Sequence, residues 1–346
     1  MRRKVVFVVR DRFSITRRNA ALVITEGESP KAKSLVALPA RHIERVVGIG
    51  SGSISTSALE LMTKNLIHLV ILDHRGNITA TLETHRDSSD ANSRTFTAAG
   101  SNPDTVLRAA HLIAIQKLES QLGAVRRWNT RCSDSYSKYV QAKLAELLLT
   151  LASTAPLSRT VILGYEGRSS QLYFSELRRR IRNSDTRFMS LGRSRRPPLD
   201  RFNSVLSFTY QLLLAEVRIA LARASIDGLH SFLHANSREN RRMPLALDLM
   251  EPFRAPLADR TVLRVVNRGQ LDPEIDFCVR TDRVHLAASG KRKVIREFER
   301  TMCAVHRLAA QGYHRTERDH LCDEIERFPE TVSRLCQLGG LSAGGR

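Results

Sequence analysis

Residues 83–103, ETHRDSSDANSRTFTAAGSNP, divide the chain into two unlike halves. The stretch lacks apolar periodicity and is dense in Ser, Thr, Asp and Asn, which marks a linker, taken here as 86–103. Upstream, Val5–Val9, Ala21–Thr25, Ser34–Leu38 and Val46–Ile49 are short runs rich in β-branched residues, broken by polar or Gly/Pro turns, and read as strands. One short helix interrupts them: Ser57 followed by Glu60 makes a capping box, and Leu59, Met62 and Leu66 repeat on one face. Leu66–Leu72 and Ile78–Leu82 then flank Asp73-His74-Arg75-Gly76-Asn77, a hairpin loop with glycine where positive φ is easiest. Downstream, Leu107, Leu112, Ile115, Leu118 and Leu122 recur at helical spacing within Asp104–Arg127, and Tyr139–Leu151 and Val205–Ala224 continue the pattern. The expected class is α+β: a small N-terminal β-sheet domain with one short helix over 1–85, then a larger all-α C-terminal catalytic domain over 104–330. A mobile tail of glycine and serine is expected over 331–346.

Composition narrows the function. The 346 residues are 42% hydrophobic, enough for two cores and against a disordered chain. A formal net charge of +20 comes mostly from arginine, whose planar fork pairs with phosphate oxygens two at a time, so a polyanion is the expected partner, ahead of an anionic membrane. The apolar run Val5–Val9 is too short for a signal-peptide core, and no stretch reads as the roughly 20 residues of a membrane span, so a cytoplasmic protein is expected. Cys132, Cys278, Cys303, Cys322 and Cys336 form an odd set without CxxC spacing, predicting reduced, mostly buried thiols. Gly48, Gly50 and Gly52 break the dinucleotide fingerprint at Ser53 and read as a glycine-rich turn.

Three separated stretches carry candidate chemistry: Glu166 in GYEGRSSQLYF, His234 in GLHSFLHANSRENRR, and Asp248 with Glu251 in LALDLMEPFR. Taken singly, a glutamate in a helix is usually a solvated face, and a histidine after Phe232 and Leu233 is usually structural. Asp248 and Glu251 are three apart amid Leu245, Leu247, Leu249 and Met250, and two acids in so apolar a helix are costly unless paired or metal-bound. Taken together, carboxylates and an imidazole in a basic chain look like one divalent-cation site for phosphodiester chemistry.

The order of these motifs resembles that of CRISPR-associated protein one, the endonuclease and integrase family of CRISPR spacer acquisition. The likeness rests on Glu166-Gly167 with Tyr173-Phe174, then Arg195-Arg196-Pro197-Pro198 with Asp200, Asn203 and Leu206-Ser207-Phe208-Thr209-Tyr210. Gly228 with Phe232-Leu233-His234, Leu247-Asp248-Leu249-Met250-Glu251 with Phe253-Arg254, and Val266-Asn267-Arg268-Gly269 follow. Leu38-Pro39, Ile43-Glu44-Arg45-Val46 and Ile54-Ser55-Thr56-Ser57-Ala58-Leu59 extend it through the amino-terminal half. Two places depart: Ser169 and Ser170 stand where the family has small apolar residues, and Asp11-Arg12 where it has a glycine turn.

The resemblance implies catalysis by Glu166, His234 and Glu251 as ligands of Mn²⁺ or Mg²⁺, with Asp248 supporting them. It implies transesterification of a 3′-hydroxyl of spacer DNA onto a phosphodiester of the CRISPR repeat. It also implies a homodimer formed through the sheet domain and a small dimeric adaptation partner bridging two such dimers. Basic clusters flank the ligand motifs and are expected to hold duplex phosphates: Arg178, Arg179, Arg180 and Arg182, then Arg193, Arg195 and Arg196, then Arg238, Arg241 and Arg242, then Lys291, Arg292 and Lys293. With aromatics at 5%, stacking along a single strand is not the main mode. Cys303, His306, His314, His320 and Cys322 match no common zinc-finger spacing and read as packing cysteines and exposed histidines. In the family pattern Ser207 and Tyr210 belong to a structural helix, and Asn203 stands near the site. The rival reading is a stand-alone metal-dependent nuclease of branched DNA in repair or recombination, and a non-catalytic DNA-binding scaffold is the third.

Overall fold

The computed structural model describes residues 3–27, 34–84, 91–130, 134–155, 158–190, 192–194, 197–226, 231–234, 244–307 and 314–343. The amino-terminal part is a mixed sheet of β1 (Lys4–Arg18), β2 (Ala21–Glu26), β3 (Ser34–Pro39), β4 (Ile43–Ile54), β5 (His68–Leu72) and β6 (Ile78–Leu82), in the order β3-β2-β1-β4-β5-β6. Strand β4 runs parallel to β1 and β5, and the other pairs are antiparallel. Helix α1 (Thr56–Lys64) makes the β4–β5 crossover. It is capped by Ser55, whose Oγ accepts from the Ala58 amide, two residues earlier than the Ser57 box predicts; Leu66 lies beyond its end at φ +53°.

The glycine run is strand, not turn. Between Val9↔Ile49 and Arg12↔Ser51, Arg10 and Asp11 face Gly50 alone, a bulge that lets β1 continue through Asp11-Arg12. Gly50 takes φ +129°, and a Cβ there would stand 1.8 Å from the Arg10 carbonyl oxygen, so only glycine fits.

Alternation sorts each strand to two faces. Val8, Val46 and Leu69 join Phe13, Ile15, Leu22 and Met62 in a core between sheet and α1. Val9, Val47, Ile49, Val70 and Leu72 point the other way and belong to the core of the helical part, so the two halves share one apolar interior. Buried ion pairs reinforce the join. Arg45 of β4 contacts Glu216 at 2.6 Å and Glu44 at 2.8 Å, and Arg318 meets the same Glu216 at 3.0 Å.

The helical part holds α2 (Ala91–Gly100), α3 (Pro103–Asn129), α4 (Ser135–Ser153), α5 (Arg159–Arg179), α6 (Arg201–Arg223), α7 (Pro244–Leu249), α8 (Glu251–Phe253), α9 (Arg260–Asn267), α10 (Ala288–Met302) and α11 (Glu317–Ala343). A π turn, Arg254–Asp259, joins α8 to α9. Asn102, Asp134, Ser158 and Asp200 each accept a backbone N–H in the first turn of α3, α4, α5 and α6, which is why those helices begin where they do. Two ribbons, β7–β8 (Phe277–Arg280, Arg283–Leu286) and β9–β10 (Val305–Arg307, His314–Thr316), add strands to a part expected to be helical throughout.

Four expectations change. The linker contains α2, whose Phe96 is fully buried and stacks on Phe328 of α11 with ring centroids 5.8 Å apart; its residues 86–90 lie outside the described ones. The expected mobile tail belongs to α11, which keeps Val332 fully buried, with only 344–346 undescribed. Helix α6 is long and apolar enough to cross a membrane, but 78% of that stretch is buried inside the protein, where it is the central core helix. Among the described cysteines only Cys322 is buried; Cys278 and Cys303 are exposed and Cys336 is intermediate, while Cys132 lies outside the described residues.

Candidate active site

Helices α3, α5 and α8 bring charge together under the surface. On α3 the inward positions Ala110, Ile113, Ala114, Leu118 and Gln121 include Lys117, which is 5% exposed. Its ammonium contacts Glu166 Oε1 from α5 and, at 2.7 Å, Glu251 Oε2 from α8. Glu251 Oε1 takes a second cation, the Arg254 guanidinium at 3.0 Å, one turn along the chain. Oε2 is buried against the Lys117 ammonium. Burial pushes the Glu251 carboxyl up, but Arg254, Lys117 and His234 outweigh it and bring it down to about 2. Ser170, a departure from the family pattern, donates to Glu166 Oε1 at 3.1 Å from one turn away.

His234 is placed by a different device. Asp248, fully buried at the end of α7, accepts from Ser231 Oγ (2.8 Å), Phe232 N (2.8 Å), Leu233 N (2.9 Å) and His234 Nδ1 (2.7 Å). A carboxylate on Nδ1 fixes the proton there and leaves the Nε2 lone pair free to bind. Two further contacts brace the loop: Arg159 donates twice to the Leu233 carbonyl, and Phe232 packs between Phe96 and Phe328 at centroid distances of 6.2 and 6.1 Å.

A cavity of about 870 Å³ opens beside His234 and Arg254. Its walls carry Arg75, Arg193, Arg283, His285 and Lys291, a cationic lining around Phe208 and Tyr210. Arg75 arrives on the β5–β6 loop, held against α6 because Gly76 takes φ +92° and a Cβ there would stand 2.8 Å from Phe208. Burial, aided by the charges of Arg75, Arg283 and Lys291, lowers the pKa of His285.

Two carboxylates and one imidazole nitrogen are a donor set that suits Mn²⁺ or Mg²⁺, and the two carboxylates already converge from separate helices on one positive charge, the Lys117 ammonium. Among the described residues no three His, Cys, Asp or Glu side chains are grouped as a metal cluster, and the ammonium of Lys117 stands between the two carboxylates.

The structure places the other expected residues unevenly. Arg195, Arg196, Gly228, Arg238, Arg241 and Arg242 lie outside the described residues. Lys291 lines the cavity but is 7% exposed, and its ammonium donates to the His74 carbonyl at 2.5 Å. Arg182 and Arg292 are exposed and Arg178 half-buried. Arg180 is a structural residue instead: 7% exposed, it bonds Glu176, Asn129 and Ser137. Lys293 pairs with Asp276 at 2.5 Å and Arg179 with Asp134. Asn203 donates to Ser190 Oγ and the Gly192 carbonyl and accepts from Arg193 at 2.9 Å. The sequence alone assigns no site role to Lys117, Arg254, Arg75, Arg283 or His285. The signal for Lys117 is present, a lysine on the apolar face of an amphipathic helix.

The family profile described as CRISPR associated protein Cas1 matches residues 6–300. The chain belongs to that family. It is 31% identical over 289 residues to the CRISPR-associated endonuclease Cas1 1 of Thermus thermophilus, covering 82% of this chain and 84% of the relative. It is 32% identical over 315 residues to a Cas4/Cas1 exonuclease–endonuclease fusion of Myxococcus xanthus, covering 90% of this chain but 54% of the fusion. The chain thus spans about half the length of such fusion relatives. In fold it superposes on a casposase bound to integration product with a TM-score of 0.78 at 20% identity, covering 96% and 91% of the two chains. It matches the Cas1 protein of Thermotoga maritima equally, with a TM-score of 0.78 at 18% identity, covering 95% and 97%.

Proposed function

We propose that this Cas1 chain is a metal-dependent DNA endonuclease and integrase that joins spacer 3′-hydroxyls to the CRISPR repeat by transesterification. The observation that carries the reading is the meeting of Glu166 and Glu251 on one buried ammonium, beside an imidazole whose Nδ1 is tied to Asp248. The relative named as an endonuclease and the casposase captured with its integration product support the same chemistry. A neighbour described as a Cas6-RT-Cas1–Cas2 complex supports a small adaptation partner for this chain. We place it as a homodimer through its sheet domain, in the cytoplasm.

Glu166, His234 Nε2 and Glu251 would hold Mn²⁺ or Mg²⁺, which supplies Lewis-acid polarisation of the scissile phosphate and acidifies the attacking hydroxyl. Asp248 keeps the His234 proton on Nδ1, so that Nε2 is left as a donor of electrons. Arg254 is held by Glu251 with its guanidinium 4.8 Å from the centre of the Tyr210 ring, at the cavity wall, where it can take phosphate oxygens and offset charge in the transition state. Arg75, Arg193 and Arg283 would grip flanking phosphates and set the register of the duplex.

The test is a strand-transfer assay with a 3′-hydroxyl duplex and a repeat-containing plasmid. Joined product from the wild-type chain that disappears with Glu251→Ala supports the proposal. Nicking without joining would move the chain to a stand-alone nuclease of branched DNA, and DNA binding without any chemistry to a scaffold.

A further inference from the structure

We infer that Lys117 is an internal counter-ion that closes the site in the metal-free protein, and that cation loading displaces its ammonium from between Glu166 and Glu251. The inference rests on the metal reading above and goes beyond it. Two nearly buried carboxylates repel each other and are costly to desolvate, so a folded protein without a bound cation needs another positive charge at that point. Lys117 provides it: its side chain is 7% exposed, it comes from a different helix than either acid, and its one nitrogen touches an oxygen of each. With Arg254 on the far oxygen of Glu251, these two acids and two bases already balance. Adding two positive charges while both basic groups stay in contact would leave the pocket net positive and buried. Arg254 is held a second way, over the Tyr210 ring at 4.8 Å, whereas Lys117 has a flexible four-carbon stem able to withdraw.

Calorimetric titration of the metal-free full chain with Mn²⁺ tests this. Lys117→Met should bind Mn²⁺ about tenfold more tightly than wild type, the scale of one removed competing charge contact. Its melting temperature should also fall in chelator and rise further on Mn²⁺ addition than that of wild type, with Lys117→Arg staying close to wild type. Equal or weaker Mn²⁺ binding by a folded Lys117→Met overturns the inference, and no binding by wild type overturns the metal reading instead. Should Lys117→Met fail to fold, crystals of the wild-type chain grown with Mn²⁺ decide: an Nζ withdrawn from both carboxylates supports the inference, and one still bridging them overturns it.

Discussion

Asp259 shows how much of the site lies in single residues that no motif announces. It sits in the π turn that follows Glu251 and accepts from both Tyr173 and Tyr210 hydroxyls at 2.8 Å, tying α5 to α6 beneath the cavity. Burial raises its carboxyl from 3.8 to about 6, against the pull of the two tyrosine hydrogen bonds. A raised acid favours the folded state when protonated, so its contribution is complete below the unfolded value of 3.8 and is lost as pH rises through about 6. We expect urea unfolding to show wild type losing up to about 3 kcal/mol relative to Asp259→Asn across that window, and a pH-independent difference would refute the assignment. The acids and His234 were legible because each sits in a distinctive local stretch. Lys117 shows in sequence only as a lysine on an apolar helix face, with nothing to name its partners, and Asp259 not at all, since one acid in a helical stretch looks like a solvated position until the neighbouring helices are known.

At the scale of elements, the regular pieces were readable and the irregular ones were not. Strands and long helices announce themselves by period, and Val46–Ile49, Ile78–Leu82 and Val205–Ala224 fall within or largely overlap β4, β6 and α6. Polar residues hid α2, whose sequence between Ala91 and Gly100 has one large apolar side chain, Phe96. That one ring matters because it packs on Phe232, two residues before His234, and on Phe328. Phe96→Ala is expected to cost about 3–5 kcal/mol of stability, read by denaturant unfolding. It should also slow strand transfer at temperatures where the variant is still folded, because the His234 loop loses its backing; unchanged joining by a folded variant would show that α2 only packs. The bulge at Gly50 was misread as a turn for a related reason: a glycine run signals unusual backbone, but only the pairing of β1 with β4 tells which kind.

Across the whole molecule, the charge of +20 is less available than its size suggests. Arg45, Arg180 and Arg318 are buried in ion pairs that hold the fold together, whereas Arg75 and Arg283 face the cavity. Sequence clusters could not separate these roles, because burial is decided by packing that distant segments supply. We expect Arg75→Ala to reduce the slope of log affinity for duplex DNA against log salt by about 1. Arg179→Ala, whose guanidinium is paired with Asp134 and stacked on Tyr136, should leave that slope unchanged. Of the three proposed ligands, Glu166 and Glu251 already share a partner, so the membership of His234 is the demanding link. Pulsed electron paramagnetic resonance of the Mn²⁺-loaded full chain reads it directly. Nitrogen modulation from a directly bound imidazole, present in wild type and gone in His234→Asn, is the expected result; its absence from wild type, or its survival in His234→Asn, would contradict a site made of Glu166, His234 and Glu251.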